Sequence, residues 1–172
     1  MYFCGSHKNV GVSLVCREYD LADYGGDIQA FMDACYQAYK DFWQSSPTFQ
    51  RKKLQRNKGE VNGKEKDFWG IVEGHNDDEI SIERYKKVPL LNHVVDEDNI
   101  LAQEDVLFFK RLHKRKVRVE VFSRSFKYMV VLQEVGNHDR IQFITAHPMT
   151  EKTLKKKSKK YEEFRGNGGN PL

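Results

Sequence analysis

The chain has 172 residues, of which 39% are hydrophobic and 12% aromatic, and this size and composition predict one compact domain with a buried core. No apolar run approaches the roughly 20 residues that cross a bilayer, and residues 1–20 lack a basic head followed by an apolar segment. A membrane protein and a secreted precursor are therefore disfavoured, and a cytoplasmic location is expected. The cysteines form no CxxC pair and no established metal or nucleotide motif is present, so no disulfide framework, metal or cofactor is expected.

The net charge of +4 conceals a strong asymmetry between the two parts of the chain. Residues 1–107 contain 13 Lys and Arg against 19 Asp and Glu, whereas residues 108–160 contain 15 against 4. Such a basic half attracts polyanions by counterion release, which favours nucleic acid as the partner. The alternatives are a solvated basic face or a patch that meets an acidic protein.

The first elements along the chain are a helix and a pair of short strands. Apolar residues recur at spacings of three and four and predict an amphipathic helix from about residue 27 to residue 43. Residues 48–74 are interpreted as two short strands joined around the Asn62–Gly63 turn. Pro89 excludes a long helix in the segment that follows, where one or two short helices or turns are expected.

The second half of the chain predicts a sheet and a final helix. "EDVLFFKRLHKR" fits either a short helix or an edge strand, and "KVRVEVF", "KYMVVLQEV" and "RIQFITA" predict three strands of an antiparallel meander. Thr150 is the expected N-cap of a lysine-rich helix. Its thin apolar seam, Leu154, Tyr161 and Phe164, would pack on the sheet while the lysines face outward.

These segments, taken in order, resemble a family of nucleases. The segments are similar, in the same order, to those of phage and prophage proteins of the barnase, EndoU, colicin and RelE-like (BECR) fold. They are "FWGIVEG", "IERYKKVPLLNHVV", a basic strand, "YMVVL", "IQFITAHP" and a basic helix ending "KKYEEF". The resemblance covers about residues 27–164. It implies an α+β domain in which helices precede a twisted antiparallel sheet, a meander followed by a basic C-terminal helix, with RNA held on one face of the sheet.

The resemblance also implies an activity and a set of site residues. It suggests a metal-independent endoribonuclease, phage-like or toxin-like, in which the ribose 2′-hydroxyl attacks the adjacent phosphate. Arg84 and Lys87 match basic positions of the family's Arg-rich segment, and Thr145 matches the Thr of its "LTAYP" strand. Salt bridges to the acidic half of the chain are the alternative role for the two basic residues. Further cations for RNA contacts are Arg118, Arg140, Lys152, Lys155, Lys156 and Lys159.

One position departs from the family pattern. Gly70 stands where the family's "FWH" supplies an expected catalytic histidine, and glycine cannot transfer a proton. His147 at the end of the "FITAH" strand and His75 in a polar turn are the two candidate replacements, because imidazole titrates near neutral pH. If neither serves, the chain is a catalytically inactive module of the same fold that binds RNA or an acidic protein. A structural protein that assembles through its basic helix is the third interpretation.

The predicted organisation is a single nuclease-like domain at residues 25–165. Residues 1–24 are an N-terminal extension or cap without an assigned role, and residues 166–172 form a flexible tail. An active ribonuclease would need an acidic inhibitor or antitoxin as a protein partner. The expected partners are therefore RNA, including tRNA, and such an inhibitor, but no membrane.

Overall fold

The computed structural model describes residues 17–57, 59–73, 81–136 and 139–169. Within these ranges the chain forms short 3-10 turns at Leu21–Tyr24 and Val88–Leu90. The helices are α1 (Ile28–Gln44), α2 (Lys66–Val72), α3 (Ile82–Lys86), α4 (Leu91–Val95), α5 (Glu97–Ala102) and α6 (Glu151–Gly166). The strands are β1 (Thr48–Phe49), β2 (Lys52–Gln55), β3 (Glu60–Val61), β4 (Lys64–Glu65), β5 (Val106–His113), β6 (Lys116–Ser123), β7 (Tyr128–Glu134) and β8 (Arg140–Pro148).

Six of the described strands form one sheet in the order β1-β2-β8-β7-β6-β5. The predicted meander is confirmed by the antiparallel pairs β6–β7 and β7–β8. The ambiguous segment before it is the edge strand β5, which pairs with β6 along its whole length. The sheet is not purely antiparallel, however, because β2 adds to β8 in parallel. The general α+β class is confirmed.

The two faces of the sheet bury different clusters. Val106, Phe108, Val119 and Val121 join the main core with α1 and the short helices. Their neighbours in the alternating pattern, among them Leu107, Phe109, Phe122 and Met129, pack with Tyr161, Leu154 and Phe164 of α6. We call this second side the α6 face of the sheet. The predicted seam of the lysine-rich helix is confirmed.

Two predicted helices are confirmed, and one predicted strand is wrong. Asp27 caps α1 by accepting from the Ala30 amide, and Thr150 caps α6 by accepting from the Thr153 amide. The turn at Asn62–Gly63 joins β3 to β4, but the residues after β4 form α2 rather than continuing a strand. The physical reason is the buried set Phe68, Ile71 and Val72, which have the three-and-four spacing of a helix face.

Candidate functional site

Two of the predicted site residues converge on the C-terminal end of α2. Thr145 Oγ1 on β8 donates to the carbonyl oxygen of Gly70 at 2.9 Å, and Arg84 Nη1 on α3 donates to the carbonyl oxygen of Ile71 at 3.2 Å. The last carbonyls of a helix have no partner within the helix, so these side chains satisfy two acceptors that would otherwise be left open. Three segments that are far apart in the sequence therefore meet at two successive peptide groups.

The space beside Gly70 is open. Gly70 is exposed, and a Cβ atom built on it would meet no atom within 4 Å. A Cβ atom at this position would therefore displace no neighbour, and the Thr145 hydroxyl donates to the carbonyl oxygen of the same residue. Gly70, the residue that departs from the family pattern, therefore lies where Thr145 and Arg84 converge on α2.

His147 lies further along β8, on the same side of the sheet as Thr145. His147 pairs with Met129 and Thr145 pairs with Val131, and both partners belong to the cluster on the α6 face. The separation along the strand is about 7 Å at the usual rise per residue. Both side chains are partly accessible. An imidazole and a hydroxyl are thus presented near one edge of the sheet, three residues before the N-cap of α6.

The side chain of Lys87 is buried and makes its contacts within the protein. It is 8% exposed, and its ammonium donates to Glu18 and to the carbonyl oxygen of Phe126. These contacts fasten the segment before α1 to the β6–β7 turn. The alternative named for this residue, a salt bridge to the acidic half of the chain, fits its contacts better than a phosphate-binding role. His75, the second candidate histidine, lies outside the described residues.

A buried tyrosine lies near Arg84. Tyr128 on β7 is fully buried, and its hydroxyl has no hydrogen-bond partner in the described part of the chain. Burial raises the pKa of Tyr128, an effect that the charge of Arg84 partly opposes. Its burial makes it a core residue, and Phe68 and Phe143 are buried in the same main core, whereas Trp69 is only partly buried.

The remaining cations lie on or beside the α6 face. Arg118 lies opposite Gln133 in the β6–β7 pair, and Arg140 lies opposite Lys53 at the start of β8. Four residues separate Met129, the partner of His147, from Gln133, the partner of Arg118, which is about 13 Å along the strands. The structure therefore does not bring Arg118 together with His147, whereas Thr145 lies opposite Val131, which is two residues, or about 7 Å, from Gln133. The α6 lysines predicted to contact RNA are all exposed: Lys152, Lys155, Lys156 and Lys159.

Sequence reasoning did not single out the charges around the centre of the α6 face. Glu120 is 1% exposed and binds both Arg111 of β5 and Lys157 of α6. Burial disfavours ionisation of Glu120, but these two cations outweigh it and lower its pKa. The alternating pattern of β6 predicts that Glu120 and Arg118 lie on the same face of the sheet. It cannot predict that Glu120 binds Lys157, which belongs to a helix and lies 37 residues further along the chain.

Comparisons with protein-family models, curated proteins and solved structures returned no match for this chain. Across the described ranges, no group of three or more His, Cys, Asp or Glu side chains is arranged to hold a metal ion. In the same ranges, no helix combines the length and the apolar character required to cross a membrane.

Proposed function

We propose that the chain is a metal-independent endoribonuclease with the BECR fold, of the phage-like or toxin-like kind. The observation that supports the proposal is the convergence of Thr145 and Arg84 on α2 at Gly70, since these are the positions that the family resemblance singles out. The strongly basic C-terminal half supplies the charge that an RNA substrate requires.

The reaction needs a base, an acid and donors or cations that stabilise the charge on the scissile phosphate. A base removes the proton of the 2′-hydroxyl, O2′ forms a bond to phosphorus, the bond from phosphorus to O5′ breaks, and an acid protonates O5′. The products are a 2′,3′-cyclic phosphate and a 5′-hydroxyl. We assign a proton-transfer role to His147, hydrogen bonding of the phosphate to Thr145, and stabilisation of its negative charge to Arg84. Each of the last two would exchange its backbone carbonyl for a phosphate oxygen.

Gly70 favours a second candidate, a catalytically inactive module that binds RNA through the same basic face. Thr145 and Arg84 already satisfy backbone carbonyls, and the position beside them carries no side chain. In this case the two residues stabilise the end of α2, and the basic face retains its affinity for RNA.

The test is incubation of the purified chain with total RNA and a tRNA pool in EDTA, alongside His147→Ala. Cleavage that yields 2′,3′-cyclic phosphate ends, and that is lost in the variant, is the expected result. RNA that stays intact but is bound, with binding that weakens as salt rises, would favour the inactive module. Gly70→His then follows, because a Cβ atom at this position would meet no atom within 4 Å. Cleavage gained by this variant would show that the site lacks only the proton-transfer group.

A further inference from the structure

A row of polar side chains crosses the α6 face of the sheet beyond the part that α6 covers. The registers place Arg111 of β5 opposite Arg118 of β6, Arg118 opposite Gln133 of β7, and Gln133 opposite Gln142 of β8. Gln142 lies opposite Gln55 of β2. Residues opposite one another share a face, so these five form one line across five strands, which we call the cross-strand row. All five are partly accessible.

The electrostatics of the cross-strand row indicate an anionic ligand. Arg111 and Arg118 lie directly opposite each other, and like charges in such a pair are destabilising. Arg111 is compensated by Glu120, but Arg118 has no carboxylate partner among the described residues, and its Nε atom is buried without an acceptor. A donor left in this state is costly unless a ligand or water accepts from it.

The hairpin next to the cross-strand row adds more positive charge. Lys114 and Arg115 form the two-residue turn between β5 and β6 with φ values of 47° and 66°. Turns of this kind favour Asn and Gly, because left-handed backbone is costly for other residues. We call residues 113–116 the basic tip. Desolvation and nearby positive charges lower the pKa of His113, and these charges belong to Arg118, Arg111 and Lys114.

A cleft at the β5 end connects the cross-strand row to α6. The cleft has a volume of about 420 Å³, and its lining includes Arg111, Lys160 and the ring of Phe164. At the other end, Gln142 lies three residues before Thr145 on β8, and an irregularity in the strand brings their partners Gln133 and Val131 to two residues apart, about 7 Å along β7. A polymer bound on the row would therefore approach the residues assigned to cleavage.

We propose that the cross-strand row and the basic tip bind a single RNA strand, with bases against the glutamine amides and phosphates against the arginines and the tip. This inference rests on the proposed function, since it takes RNA as the ligand. Amide side chains both donate and accept hydrogen bonds, so they suit the exposed edges of unpaired bases. The shallow sheet face offers cations and amides together, whereas an acidic protein segment would need only the cations.

The binding test uses a short single-stranded 2′-O-methyl RNA, which lacks the attacking hydroxyl and cannot be cleaved. Arg118→Gln is expected to weaken binding roughly tenfold, as expected for loss of a charge-assisted contact, and to reduce the salt dependence. Arg124→Gln is the matched control, because it removes the same charge from an exposed position just beyond the opposite end of β6 and should leave binding almost unchanged. Gln133→Leu should weaken binding without altering the salt dependence.

Three results would overturn the inference. Equal losses in Arg118→Gln and Arg124→Gln would mean that net charge alone governs binding. Equally tight binding of a duplex would contradict a site for unpaired bases, and displacement of the RNA by polyglutamate at matched charge would identify a surface for acidic proteins. Because the probe cannot be cleaved, a chain that binds it as expected but cuts no RNA would refute the proposed activity and leave the binding surface intact.

Discussion

Substitutions in the turn at Lys114 and Arg115 should change the stability of the protein and its binding of RNA in opposite directions. Both residues have positive φ, and a left-handed backbone costs a residue other than glycine about 1 kcal/mol or more. Replacing them with Asn and Gly, the preferred pair for this turn, relieves about 2 kcal/mol of strain. The added glycine loses about 0.5–1 kcal/mol through the greater freedom of the unfolded chain. The double variant Lys114→Asn, Arg115→Gly should therefore be about 1 kcal/mol more stable than the wild type.

Thermal unfolding and RNA binding measure the two effects separately. A gain of about 1 kcal/mol corresponds to a rise in Tm of about 2–4 °C for a chain of this size. If both side chains contact phosphates of a single strand, the slope of log affinity against log salt should become shallower by about 1.4. The expected variant is thus more stable and binds RNA more weakly.

The chain contains its own reciprocal control. Asn62 and Gly63 form the β3–β4 turn with φ values of 52° and 73°, close to those of the basic tip. Replacing them with Lys and Arg should lower Tm without improving binding, because the turn lies outside the basic half. An unchanged or lower Tm for the variant at positions 114 and 115 would refute the strain argument. A higher Tm with an unchanged salt slope would show that the tip does not contact RNA.

Three further predictions concern buried or half-buried groups. Tyr128→Phe removes a buried hydroxyl that has no hydrogen-bond partner among the described residues, so urea unfolding should show equal stability or a gain of up to about 1 kcal/mol. A loss above that size would contradict its unsatisfied state. Lys157→Met leaves the buried Glu120 with Arg111 alone and should cost about 3 kcal/mol, whereas an unchanged unfolding midpoint would show that the ion pair does not hold α6. Asp105→Asn should destabilise the chain most at neutral pH. Burial disfavours ionisation of Asp105, but hydrogen bonds led by that from His93 outweigh it and lower its pKa, so the stabilisation is present above the ordinary pKa of about 4 and fades as the pH falls below it. A difference between wild type and variant that grows in acid would contradict this assignment.

The elements that could be predicted from the sequence are those set by local patterns. The spacing of apolar residues in α1, the alternation in the strands of the meander and the cap at Thr150 each depend on residues close together in the chain. The helix α2 was missed because seven residues contain too few turns to show a period, and the glycine at position 70 weakened the signal further.

The arrangement of the site depended on long-range contacts that no local pattern contains. The parallel pairing of β2 with β8 joins residues that lie more than 80 positions apart, and the bond between Thr145 and Gly70 spans 75. The resemblance supplied the identity of these positions but not their hydrogen-bond partners. The contacts of Lys87 could not be predicted for the same reason, since its two partners lie 69 and 39 positions away in the sequence.

The most direct test of the proposed activity compares two oligonucleotides of one sequence, one of RNA and one of DNA, incubated with the wild-type chain in EDTA. Attack by the 2′-hydroxyl is available only to RNA. We expect the RNA to be cut, with 2′,3′-cyclic phosphate ends, and the DNA to stay intact. Cleavage of both strands, or of neither, would contradict the proposed activity.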